Sequence, residues 1–185
     1  MSNLPGLFSK TNLLFLEILI DEQLSIRELA EKIKCSPAKA SMAVKQFLKN
    51  GIVKVKNEKN RKIVLLDTGN PLTKQIVSLL FINKIVSSRA FHEMKKYARG
   101  IGVYGSVADG TVDARSDIDL WMLTEKRLTI MELAGLRSGL SKEIGKEVSI
   151  KAFTKESLEE LRQKDKIFFS ELEYKSKILH GEAIG

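Results

Sequence analysis

Asp117 and Asp119 stand one residue apart inside GSVADGTVDARSDIDLWML, the segment from Gly105 to Leu123. If SDIDLWML is a β-strand, its side chains alternate, so Asp117, Asp119 and Trp121 share one face and Ile118, Leu120 and Met122 the other. Two carboxylates so placed repel unless positive charge lies between them. A hard divalent cation suits the position, because it takes carboxylate oxygens and keeps its other places for water and substrate phosphates. The same pattern also fits two surface aspartates at a strand start, offset by Arg115. Just upstream, IGVYG reads as a short strand, and Gly105 with Ser106 as a turn into a helix. Small residues there let backbone N–H groups approach an anion, as a phosphate cradle requires.

Other elements must hold these groups. Strand formers recur in KEVSIKAFTKESL, where Glu147, Ser149 and Lys151 share a face. TIMELAGLRSGLSKEIG and SLEELRQKDKIFFSELEYKSKILHGE read as helices covering a sheet. Trp121, the single tryptophan, is expected in the core, with stacking on a bound base as the sharper alternative. His92 and His180 fit structural roles better than catalytic ones.

The amino-terminal part has a different pattern. Leu13, Leu14, Leu16, Ile18 and Leu19 outline a first helix, and Ser25 with Glu28 forms a capping box for a second, SIRELAEKI. In CSPAKASMAVKQFLKNG, Ser36 is an N-cap, Pro37 takes the first helical position, and Asn50 with Gly51 ends the helix. Ala40, Ala43, Val44, Phe47 and Leu48 make its inner face; Lys39, Met42, Lys45, Gln46 and Lys49 point outward. IVKVKNEKNRKIVLL then reads as a basic hairpin. From about Lys10 to Leu66 this order resembles the winged helix-turn-helix regulators. The resemblance implies double-stranded DNA as a partner, read by Lys39, Met42, Lys45 and Gln46 on the helix and by Lys56, Lys59, Arg61 and Lys62 on the wing. Residues 1–69 hold twelve Lys or Arg against seven Asp or Glu, which agrees with a polyanionic partner. A solvated basic face or a protein-binding module has the same composition. Regulators of this type bind paired half-sites, so a homodimer is expected.

The boundary is read at Gly69, Asn70 and Pro71. A winged helix at 1–69, a connecting helix at 70–96 and a third part at 97–185 are expected, the helix being one long pattern from Pro71 to Ala98. The 185 residues are 43% hydrophobic and 29% charged, with a formal charge of +8; disorder is not indicated, and the charge fits either a polyanionic partner or solubility alone. Cys35 is the only cysteine, so a disulfide framework is excluded and a reducing compartment expected; the residue reads as a small buried hydrophobe. LLFLEILI is too short to span a membrane, and MSNLPGLFSK lacks the marks of a signal peptide. A cytoplasmic protein without membrane contact is the expectation.

Gly105 and Ser106, ten further residues and then Asp-Ile-Asp resemble the signature of the DNA polymerase β-like nucleotidyltransferases, in particular their minimal forms, with looser similarity from about Tyr97 to Gly185. The expected fold class is therefore α+β: an N-terminal winged helix-turn-helix and a C-terminal nucleotidyltransferase-like mixed sheet with flanking helices. The resemblance implies that Gly105, Ser106 and Ser116 bind a nucleoside triphosphate (NTP). It implies that Asp117 and Asp119 are catalytic and bind two Mg²⁺ ions, and that a nucleoside monophosphate passes to an acceptor. Such domains can accompany a partner protein encoded nearby, and the terminal SKILHGE resembles the family's closing helix. The family often has a basic residue where this chain has Asp109 and a third carboxylate where it has Ser149. Glu147 is the nearby acid that could replace the latter. With that carboxylate absent, a DNA-binding regulator whose second domain only senses nucleotide is the alternative reading.

Overall fold

The computed structural model describes residues 7–58 and 61–185. The chain divides into two compact units, Met1–Leu80 and Phe81–Gly185.

The first unit contains α1 (Lys10–Asp21), β1 (Leu24–Ser25), α2 (Ile26–Ile33), α3 (Pro37–Lys49), β2 (Val53–Glu58) and β3 (Arg61–Leu66). The capping box at Ser25 and Glu28 is formed, and Ser36 caps α3 with Pro37 at its start. The strands make an antiparallel sheet in the order β1-β3-β2, completing a winged helix-turn-helix. Phe15, Leu16, Leu19, Leu29, Ala43, Val44, Phe47, Ile52 and Val64 are buried. Leu48 departs from its expected inward place and is 42% exposed: Phe47 and Val44 already fill the inner stripe, and the next residue turns 100° away. Cys35 lies in the α2–α3 loop, half-buried, and not in a helical core.

The expected connecting helix is two helices, α4 (Pro71–Ser87) and α5 (Arg89–Met94). The division between the units falls within α4, between Leu80 and Phe81. Asn70 anchors the start of α4, donating from its side chain to the Gly51 carbonyl at 2.8 Å and accepting from the Leu72 amide at 2.8 Å. The break comes at Ser88, whose backbone is extended and whose hydroxyl accepts from the Phe91 amide at 3.1 Å. A serine that caps a new helix competes with continuation of the old one. His92 Nδ1 lies 2.8 Å from the Ser88 carbonyl oxygen, a local capping contact.

The second unit is built on β4 (Ala98–Tyr104), β5 (Ile118–Thr124), β6 (Val148–Phe153) and β7 (Lys177–Gly181), with α6 (Gly105–Asp109), α7 (Ile130–Ile144), α8 (Lys155–Lys164) and α9 (Lys166–Lys175). The sheet order is β6-β5-β4-β7. It is mixed: β5 and β6 are parallel, the other neighbours antiparallel. Ile101, Val103, Ile118, Leu120, Met122, Val148 and Ile150 are buried on one face, with α7 packed on β6. On the other face Tyr104, Trp121 and Leu123 join Phe169 and Leu172 of α9 and Ile184 in a second cluster, bordered by Leu158 and Leu161 of α8.

Two expectations are corrected here. KILHG is not part of a closing helix but the edge strand β7, because β4 has an open edge and pairing with it outweighs local helical pattern. Asp117 is not in the strand: β5 begins at Ile118, whose amide donates to the Glu147 carbonyl at 2.9 Å. Asp117 ends the preceding loop and is exposed.

Trp121 is fully buried, so base stacking by its ring is ruled out. Room for the indole comes from the neighbouring strand, where a Cβ added to Gly102 would lie 2.3 Å from ring carbons of Trp121. Gly102→Ala should therefore overpack the sheet and cost about 2 kcal/mol of stability. Urea unfolding checks this, with the midpoint falling at unchanged m-value.

Candidate active site

Gly105 joins β4 to α6 with φ +63°, a left-handed conformation that glycine adopts without steric cost. A Cβ there would approach Asp119 Oδ2 to 3.0 Å, so the missing side chain leaves a space directly against the carboxylate. Ser106 follows, its hydroxyl donating to the Asp117 carbonyl at 3.4 Å. That long bond ties the α6 turn to the end of the aspartate loop. The first amides of α6 have no acceptor within the helix.

The loop before β5 is shaped by Asp113. Its Oδ1 accepts from the Arg115 amide at 2.9 Å and from the Ser116 hydroxyl at 2.9 Å, while Ser116 Oγ accepts from the Asp113 amide at 3.0 Å. The Ser116 hydroxyl bond, then the Arg115 amide, holds the exposed Asp113 carboxyl below its usual range. Ser116 thus has a loop-forming role in addition to the nucleotide contact expected of it. Lys146 Nζ donates to the Asp113 carbonyl at 2.8 Å.

Asp119 is half-buried. Burial pushes its carboxyl above the usual carboxylate range, the neighbouring Asp117 charge adds to this, and Lys151 opposes it. Asp119 pairs in register with Tyr104 on one side and Ser149 on the other. The Tyr104 hydroxyl is pushed up to about 12, by burial first, then by Asp119 and Glu171. Its ring meets Phe168 of α9 edge-on with centroids 5.7 Å apart, and Lys151 Nζ lies 5.1 Å from the Phe168 centroid. Tyr104 and Phe168 went unrecognised in the sequence. Tyr104 could have been found as the residue before the Gly105 turn, whereas Phe168, some fifty residues beyond the aspartates, carries no local signal.

The structure therefore brings Gly105, Ser106, Asp117 and Asp119 together. Ser149 stands beside Asp119 where a third acid was sought. Glu147 precedes β6 and is exposed, and among the described residues no group of three or more His, Cys, Asp or Glu side chains is arranged to hold a metal ion. A cavity of about 370 Å³, lined by Arg99, Leu123, Thr124, Arg162 and Phe169 among others, lies at the opposite end of β5 and includes neither aspartate.

In the first unit, Lys39, Met42 and Lys45 are exposed on α3, Met42 at 72%. Gln46 is half-buried, and its Oε1 accepts from the side-chain Nδ2 of Asn12 in α1 at 3.3 Å, so it braces α3 where an outward side chain was expected. On the wing Lys56 pairs with Glu58 at 2.7 Å and Arg61 with Glu28 at 3.6 Å. Both pairs are solvent-exposed and contribute little to stability. Lys62 is exposed, and Lys59 lies outside the described residues.

A glycine turn thus lies against Asp119 on a mixed sheet, with Asp117 at the end of the adjoining loop. Residues 88–179 match the family model described as Polymerase beta, Nucleotidyltransferase. No curated protein matches. Among solved structures, one described as a toxin-antitoxin with AMP-PNP is 22% identical, covering 55% of this chain and 73% of that one, at a TM-score of 0.43. HlyU from Vibrio cholerae N16961 is 23% identical, covering 41% and 82%, at 0.36. The winged helix-turn-helix domain of Mb0332 from Mycobacterium bovis, homodimeric in solution and a possible ArsR-family regulator, is 16% identical, covering 45% and 72%, at 0.37.

Because the folded state raises the Asp119 pKa, the native protein binds more protons than the unfolded chain between the two pKa values, and its stability falls as pH rises through that window. Asp119→Asn should therefore raise the Tm of the metal-free protein at pH 7. The gain should shrink as pH is lowered below the carboxylate range, as calorimetric scans with a chelator present would show.

Proposed function

We propose that the second unit binds a nucleoside triphosphate together with a divalent ion such as Mg²⁺ and transfers its nucleoside monophosphate to an acceptor hydroxyl, while the winged helix holds double-stranded DNA. The observation that carries this reading is the space at Gly105 against Asp119, beside the Asp117 carboxylate. The donor set fits a hard cation: two carboxylates on one side, with the open cradle for phosphate oxygens on the other. Asp117 and Asp119 would hold the ion, which when bound supplies positive charge to the triphosphate. The Gly105–Ser106 turn orients the phosphates. In the transfer the acceptor oxygen bonds to the α-phosphorus as the bond to the β-phosphate bridging oxygen breaks. Pyrophosphate leaves with that electron pair, and the acceptor proton passes to water.

Trp121 is fully buried and would not touch a base, so calorimetry, which needs no contact with the indole, is the measurement of choice. Native protein should bind NTP with Mg²⁺ and not without it, and Asp117→Asn/Asp119→Asn should lower the affinity at least 100-fold while the fold persists by circular dichroism. Equal binding by the double variant would refute the site.

A second reading is favoured by Ser149, which puts a neutral hydroxyl in register with Asp119. In it the domain senses nucleotide without turnover, and the protein is a DNA-binding regulator. Pyrophosphate release with candidate acceptors, beginning with proteins encoded nearby, separates the two readings.

For DNA, the exposed Lys39, Met42 and Lys45 form the face for the major groove, and Lys56, Arg61 and Lys62 are the phosphate contacts. Affinity should fall as salt rises, and Arg61→Ala or Lys62→Ala should each reduce the slope of log K against log salt by about one. A salt-independent affinity would point to a protein partner for this unit.

A further inference from the structure

We propose that the nucleotide site takes one divalent ion per bound nucleotide and that Lys151 supplies, as a fixed ammonium, the positive charge that a second ion would bring to the substrate phosphates. The inference rests on the nucleotide-binding reading above and concerns the third strand of the site. On β6, Ser149 is the register partner of Asp119 and Lys151 that of Trp121, so both project from the face that carries the Asp119 carboxylate. A hydroxyl at 149 offers a hard dication one neutral oxygen where a carboxylate would offer charge. Two residues on, Lys151 is exposed at its strand position, with Nζ over the ring of Phe168.

Its position is maintained from two sides. Phe168 packs edge-on against Tyr104, itself the other register partner of Asp119, so the ring beneath the ammonium is anchored to the same strand pair as the aspartate. The Lys151 charge reaches Asp119, where it counters the effects of burial and of Asp117. A second dication beside Asp119 would have to be held by two carboxylates already shared with the first, against the repulsion of this ammonium. The exposed Glu147 does not join them in a metal-holding group. A triphosphate, by contrast, gains from Lys151 as from any compact point charge placed across from its ion.

The test counts ions. Mn²⁺ is titrated into the protein with a non-hydrolysable α,β-methylene ATP analogue, and free Mn²⁺ is read by electron paramagnetic resonance alongside the bound nucleotide. One Mn²⁺ per nucleotide is expected for the native chain. Lys151→Gln should keep that count and bind the analogue at least tenfold more weakly. Ser149→Asp/Lys151→Gln should raise the count to two. Two ions on the native protein, or unchanged affinity in Lys151→Gln, would overturn the inference and leave the nucleotide site standing. Absence of any Mn²⁺-dependent binding would remove both.

Discussion

Asp119 and Trp121 project from the same face of β5, two residues apart, and their needs are opposite. The indole is fully buried and demands close apolar packing, which Phe169, Leu172 and Ile184 provide. The carboxylate cannot be covered in that way without losing its charge or acquiring a partner. The covering layer must therefore end between them. It ends at Tyr104 and Phe168, whose edge-on contact separates the dry cluster from the half-open site.

That boundary accounts for the rest of the site. Gly102 of β4 makes room for the indole, and Gly105, three residues later at the start of α6, leaves room against the carboxylate. The raised pKa of Asp119 comes from standing at the edge of the covered region with Asp117 beside it.

The two units treat charge differently. In the first unit, Glu58 of the wing and Glu28 of α2 lie against Lys56 and Arg61 in exposed pairs that contribute little to stability. In the second unit the aspartate pair is held by the hydrogen bonds of its loop and by the strand that follows: the Asp113–Ser116 turn, the Ser106 bond to the Asp117 carbonyl, and the start of β5 at Ile118.

Much of this was legible in the chain. Helix caps at Ser25 and Ser36, the periodicity of α2 and α3, the hairpin, and the glycine-serine turn ten residues before Asp-Ile-Asp are local signals, and local physics settles them. What the sequence could not supply depends on partners distant along the chain. The break at Ser88 turned on whether a serine would cap or continue a helix. The change of KILHG from expected helix to edge strand required the open edge of β4. Gln46 looked outward until Asn12 of another helix met it, and Phe168 entered the site only through the fold of α9 over the sheet. Sequence alone determined which residues carry charge, turn and cap, because those properties belong to single residues and their near neighbours. Which carboxylate is covered, which lysine faces it and which aromatic ring closes the core were decided by the tertiary structure, because burial and electrostatic coupling exist only between surfaces that folding brings together.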